Sequence, residues 1–196
     1  MTAEIRAFEY ALGLFSVLIG LAVADVATSF HRLVRGKAPV VWDPLALLAA
    51  FYALCMSIGM WFEVWSVRSV SEARHYFFYL SMVANFFVLF LISAASLPDD
   101  PKEDHDLRAY YERNRRYFWL LIALFQAAYI GHGIYFVHSI FTRIPLGIRV
   151  QFVSQWLLLF IVPLALAYVR RRSLHFVGFA ILFAVQAWHY APYAIN

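Results

Sequence analysis

The groups in this chain that could do chemistry are few, and most of them lie inside long apolar runs. Asp25 interrupts the first run, Glu63 stands near the end of the second, His132 sits between Gly131 and Gly133 in the fourth, and His189 comes late in the last. Inserting a charged group near the middle of a membrane helix costs on the order of 2.5–3.5 kcal/mol, so such residues turn toward protein or water and by default mark a path for protons, ions or solutes. Asp25, His132, Glu63 and His189 are therefore the candidate titratable groups of a conduction path. Glu9, His75 and His138 belong to the same set by position. Ser29 and Arg32 follow Asp25 at i+4 and i+7 on one helical face, so an ion pair with Arg32, or across the bundle with Arg116, is the alternative fate of its charge.

Other chemistries find less support. Imidazole and carboxylate ligate zinc, iron and copper, and histidines on facing helices hold haem. However, no helix carries a His-x-x-x-His or Glu-x-x-His spacing, and His132 and His138, six residues apart, do not share a face. A metal ion or haem would need several helices to converge, so none is expected. The one cysteine, Cys55, lies within an apolar run and reads as a small buried hydrophobe. There is no glycine-rich phosphate loop and no serine or cysteine nucleophile in a recognisable turn, which argues against an enzyme. The only lysines, Lys37 and Lys102, fall in loops, so no Schiff base forms within a span.

The elements that must position these groups are membrane helices. Of 196 residues, 63% are hydrophobic and only 14% charged, with a mean hydropathy of +0.68; a soluble domain of ordinary composition is about a quarter charged. Apolar runs at 44–62, 76–98, 117–142, 150–169 and 173–196 approach or exceed the roughly 18–20 residues that cross a bilayer. With the run holding Asp25, they predict an all-α polytopic bundle of about six spans: 8–31, 44–66, 75–97, 117–140, 150–170 and 174–190. No linker separates domains, so residues 1–196 form one transmembrane domain. The first run lacks a basic leader and a small-residue cleavage site and reads as a retained helix.

Of the 16 Lys and Arg, eleven fall in the odd-numbered loops and five on the opposite side. The positive-inside rule then places the odd loops in the cytoplasm and both termini outside. Residues 98–116 form a cytoplasmic loop and an interfacial helix leading into span 4, with Tyr110, Tyr111, Tyr117, Phe118 and Trp119 at headgroup depth. His31, Arg32, Arg108 and Arg116 make a polar cluster on this side. A net charge of +4 is accounted for by attraction of these ends to anionic lipid, so membrane lipids are expected partners and nucleic acid is not.

Gly13, Ser16, Val17, Gly20, Ala24 and Thr28 recur at three- and four-residue steps along span 1. That small-residue stripe places the helix centrally in the bundle or at a contact with a second copy or a membrane partner. Asn85, Gln126, Gln155 and Gln186 add neutral hydrogen-bonding groups on four spans, as a polar seam or as ordinary interhelical contacts. Trp42, Trp61, Trp65, Trp119 and Trp188 fall near span ends, as in an aromatic belt. Pro163 kinks span 5 and frees a carbonyl one turn earlier.

Two segments carry a family resemblance. Gly20-Leu21-Ala22-Val23-Ala24-Asp25 with Ser29-Phe30-His31-Arg32-Leu33-Val34-Arg35, and later Asp106-Leu107-Arg108-Ala109-Tyr110-Tyr111 with Arg115-Arg116-Tyr117-Phe118, resemble a group of small, uncharacterised six-span bacterial inner-membrane proteins. The resemblance covers about a fifth of the chain closely. It implies a multi-pass protein of the bacterial inner membrane and implies no activity. Two functions stay open: a channel or transporter for protons, ions or a small solute, which predicts a continuous polar path, and a noncatalytic scaffold or accessory subunit that binds lipid or a partner, which predicts a dry, ion-paired Asp25. A haem or metal redox protein is the third reading.

Overall fold

A computed structural model describes residues 3–36, 39–66, 76–100, 105–136 and 144–191 of the chain. The described residues form six helices: α1 (Ala3–Arg35), α2 (Pro44–Ser66), α3 (Tyr76–Ser96), α4 (Leu107–Phe136), α5 (Leu146–Tyr168) and α6 (Arg172–Tyr190). Of the residues singled out in the sequence, His75, His138, Lys37 and Lys102 lie outside the described residues, as do the side chains of Glu9 and Trp65.

The helix starts follow local chemistry. Asp43 and Pro44 open α2: the Asp43 carboxylate accepts the Ala46 N–H at 3.3 Å, and Pro44 occupies the first turn, where its missing N–H costs nothing. Asp106 opens α4 by accepting the Arg108 and Ala109 N–H groups at 2.9 and 3.0 Å. Nothing between Arg116 and Tyr117 breaks the helix. The interfacial segment expected over 107–116 and the fourth span are consequently one continuous helix of 30 residues, about 45 Å long at 1.5 Å per residue and longer than the hydrocarbon layer. The loops before α2 and α4 are tied together: the Val41 N–H donates to the His105 carbonyl at 2.9 Å, and the Leu107 N–H donates to the Val41 carbonyl at 3.1 Å.

Among the described residues five helices are long and apolar enough to cross a bilayer, and the chain is a multi-pass integral membrane protein. The helix not among the five is α6. His175, Gln186 and His189 dilute its apolar character, and all three are turned toward polar contacts or a cavity inside the bundle.

The packing centre is α2, which touches α1, α3, α4 and α6 and has 56% of its apolar window buried. By contrast α1 has 28% of its window buried and lies at the rim against α2 and α3. Its inward seam is Phe15, Ile19, Ala22, Val26, Ser29 and Leu33, spaced alternately by four and three residues as in a helix that follows its neighbours closely. The small-residue stripe faces away from this seam: an added Cβ at Gly13 or Gly20 would meet nothing within 4 Å, and Ala24 and Thr28 are exposed. Of the two positions expected for span 1, central or at a contact with another chain, the chain does not adopt the central one: the seam from Phe15 to Leu33 carries the buried face, and Gly13, Gly20, Ala24 and Thr28 lie off it. On the opposite side, Leu157, Leu158, Ile161 and Leu164 of α5 are exposed, as a lipid-facing surface requires.

Candidate functional site

The inward face of α6 reads His175, Phe179, Leu182, Gln186, His189, again at four- and three-residue steps. Its middle is apolar and its two ends are polar, and each end builds a different site.

At the His189 end, Glu63 of α2 is held from two sides. The Tyr129 hydroxyl of α4 donates to Glu63 Oε2 at 2.7 Å, and His189 Nε2 lies 2.7 Å from Oε1. The three residues flank a partly open cavity between α2, α4, α5 and α6, of about 570 Å³ when the open space at its mouth is included. Gln126 of α4, Gln155 of α5 and Gln186 of α6 bring amides to its wall. The Gln186 Oε1 is buried and has no hydrogen-bond partner among the described residues, an acceptor that a ligand or water in the cavity can satisfy. Tyr52, Phe125, Tyr129, Trp156 and Tyr190 supply aromatic walls, with Met56 and Met60 between them. Tyr190 reaches its place because residue 59 is glycine: a Cβ there would stand 2.6 Å from the Tyr190 ring. Pro163 of α5 has no N–H to donate to the Leu159 carbonyl, and Leu159 lines the cavity. The freed carbonyl expected from the sequence thus falls beside the cavity wall.

An aromatic layer forms the floor. Tyr52 packs edge-on against Phe183 and Phe179 at 5.4 and 6.1 Å between ring centres, and Phe179 packs on Trp119 at 4.8 Å. Tyr52, Trp119 and Phe179 are all at most 1% exposed.

Below this floor lies the second site, at the His175 end. Trp119 Nε1–H lies 3.1 Å from the Tyr111 Oη and 3.0 Å from His175 Nδ1, and the Tyr111 hydroxyl lies 2.9 Å from the same Nδ1. His175 Nε2 lies 3.0 Å from the Val169 carbonyl, which can only accept. The network therefore assigns the proton to Nε2 and leaves Nδ1 as the acceptor for Tyr111. Arg115 also donates to the Val169 carbonyl, one of those that α5 leaves free where it ends. Arg172 bridges the carboxylates of Asp43 and Glu112, joining the start of α6 to the start of α2 and to α4. Arg108 lies 3.5 Å from Glu112.

The sequence-derived candidates separate in three directions. Glu63 and His189, 126 residues apart in the chain, are brought together. His132 does not line the cavity: it is 8% exposed between Phe78 and Phe136, with Nδ1 at 2.7 Å from the Ser81 hydroxyl. Asp25 lies on α1, away from both sites, and its Oδ2 is buried without a hydrogen-bond partner among the described residues. Neither proposed ion-pair partner meets it. Arg32 donates instead to the Asp99 carbonyl at 3.0 Å, and Arg116 lies over the Tyr168 ring at 5.0 Å. Of the expected cluster of His31, Arg32, Arg108 and Arg116, each arginine has its own neighbour, Arg108 lying beside Glu112.

Sequence reasoning missed the buried group of Asp43, Tyr111, Trp119, Arg172 and His175. The one local signal was Asp43 directly before Pro44, a helix-start pattern. Among the described residues no group of three or more His, Cys, Asp or Glu is placed to hold a metal ion. Comparison of the chain with protein-family models, with curated proteins and with solved structures finds no match.

Proposed function

We propose that this protein crosses a bacterial inner membrane six times, with both termini outside, and binds and moves a small solute through the cavity between α2, α4, α5 and α6. The observation that carries the reading is that cavity: polar groups from four helices converge on one partly open space, beside a buried aromatic layer. This is the form of a solute site reached from one side at a time, rather than of an open pore. Support for the orientation comes from charge. Arg32, Arg35, Arg108, Arg113, Arg115, Arg116 and Arg170 to Arg172 gather at the end away from the cavity, which by the positive-inside rule is cytoplasmic. Support for a sixth crossing comes from α6 itself, whose 19 residues reach about 28 Å while packed against α2 and α5. The resemblance at the end of α1 and the start of α4 supports the inner-membrane setting. Pro163, beside the cavity, gives α5 a point at which to bend during a change of access.

The test is flux in liposomes. Proton and monovalent-cation movement and solute counterflow are followed for wild type, Asp25→Asn and Met56→Trp, which fills the cavity with an indole. Flux above empty liposomes that Met56→Trp abolishes and Asp25→Asn preserves is the expected result. Flux that survives filling the cavity, or none from folded and inserted protein, overturns the reading; the second outcome favours a noncatalytic membrane subunit.

A further inference from the structure

We infer that the outer edge of the α4–α5 pair holds one anionic phospholipid, with its phosphate on Arg116 and Arg170 and its acyl chains on the apolar face that continues from them. This site requires only that the chain crosses a bilayer, and it makes no use of the cavity. Two contacts set the register of the two helices at this end. The Arg115 side chain donates to the Val169 carbonyl, and the Arg116 guanidinium lies over the Tyr168 ring, 5.0 Å from its centre. Arg116 and Arg170 therefore flank the same contact, and both are exposed. The ring covers a face of the Arg116 guanidinium and leaves its N–H edge, which lies in the plane of the group, to bind two oxygens of one phosphate side by side. Glu112, one turn before Arg116, is engaged by Arg108 and Arg172.

Depth in the membrane selects a lipid over a soluble anion. Arg116 is the last charged residue of α4 before its uncharged run, and Tyr168 is the last residue of α5. Tyr117 and Tyr168 are both exposed, as aromatic side chains are at the level of the headgroups. Arginines just beyond that belt stand where lipid phosphates lie. From there the exposed surface continues as hydrocarbon. On α4, Arg116, Leu120, Leu124 and Ala127 follow one another at four- and three-residue steps, and on α5 so do Tyr168, Leu164, Ile161 and Leu157. Leu124, Leu164, Ile161 and Leu157 are exposed, so acyl chains attached to the bound phosphate have an apolar face to lie on. A free phosphate would use the arginines and leave this face idle. A choline or ethanolamine headgroup would bring a cation of its own toward Arg116 and Arg170, whereas the uncharged glycerol of phosphatidylglycerol does not.

Phosphatidylglycerol and phosphatidylcholine with the same acyl chains separate headgroup charge from chain contact. Each is titrated into the purified wild-type protein in detergent, and bound lipids are counted by native mass spectrometry. The expected result is one phosphatidylglycerol bound at least about tenfold more tightly than phosphatidylcholine, the size of effect that two interfacial arginines supply. Arg116→Gln with Arg170→Gln should remove that preference, and Tyr168→Leu, which keeps both charges, should weaken phosphatidylglycerol binding by about threefold. Arg108→Gln, at an arginine paired with Glu112 two turns earlier on α4, should leave the preference in place. Equal affinity for the two lipids in wild type overturns the inference. So does a preference that survives the double substitution, or one that Arg108→Gln removes as fully, since either outcome would mean diffuse attraction to a basic surface. Displacement of bound phosphatidylglycerol by excess inorganic phosphate would mean that the arginines read phosphate alone, and overturns the assignment to a lipid. Because the two lipids are compared on wild type, the result holds even if a variant does not fold.

Discussion

His175 and His189 stand fourteen residues apart on nearly the same face of α6, about 21 Å along its axis, and the protein uses them in opposite ways. His175 is 1% exposed, and both ring nitrogens are engaged by protein groups: Nε2–H meets the Val169 carbonyl and Nδ1 meets the Tyr111 hydroxyl. Its surroundings leave nothing for a ligand to bind. His189 has one nitrogen on Glu63 and stands on the wall of a cavity whose other polar groups include the unpartnered Gln186 Oε1. A histidine alone therefore says little about function. What distinguishes the two is whether the surrounding groups already satisfy one another. The His175 end is built as a clamp among α2, α4, α5 and α6, and the His189 end as a receptor.

The largest effect that would break this contrast lies at the clamp. Arg172→Ala leaves Asp43, 3% exposed, without its ion partner at the start of α2. The expected loss is about 3 kcal/mol, in the range found when one member of a buried pair is removed. Reversible unfolding in mixed micelles would measure it, and a loss under about 1 kcal/mol would mean that this end is not what fixes the bundle. A smaller effect sharpens the comparison from the other side. His189→Gln should cost at most about 1 kcal/mol in the same assay, since the glutamine amide can still donate a hydrogen bond to Glu63, yet it should lower solute flux through the cavity. If it destabilises as strongly as Arg172→Ala, the two ends are both structural and the contrast fails. The smallest effect is expected off both sites. Gly20→Leu on the outward stripe of α1 should change stability by no more than about 0.5 kcal/mol, as at an uncrowded surface position, and should leave the particle mass in detergent unchanged. A change in mass would identify the stripe as a contact with another copy.

Much of the architecture could be read along the chain, because crossing hydrocarbon is a local requirement: each helix must satisfy its own backbone and present its own apolar length. The second helix begins at Pro44 as expected, and the others differ from expectation at their ends. At α4 capping chemistry, not hydropathy, decides the start: the Asp106 carboxylate opens the helix ten residues ahead of the uncharged run. The burial of α1 went the other way from expectation for a related reason. Small residues permit close approach but do not compel it, and the seam spaced through Phe15, Ile19, Ala22 and Val26 offered more area to bury.

The site was legible only as an inventory. That Glu63 and His189 are polar groups in apolar helices follows from the sequence, and so does the expectation that they need partners. Sequence spacing sets which residues of one helix share a face, but it carries no information on which faces of different helices meet. His132 satisfied every sequence criterion that His189 did, and the fold gave it to Ser81 and two phenylalanine rings. Asp43 and His175 drew no notice, and the fold placed them in its most saturated polar network. The sequence by itself determined a helical membrane protein with a few costly polar groups. Tertiary structure alone decided which of those groups cancel one another and which remain facing a cavity, because that depends on the rotation and pairing of whole helices.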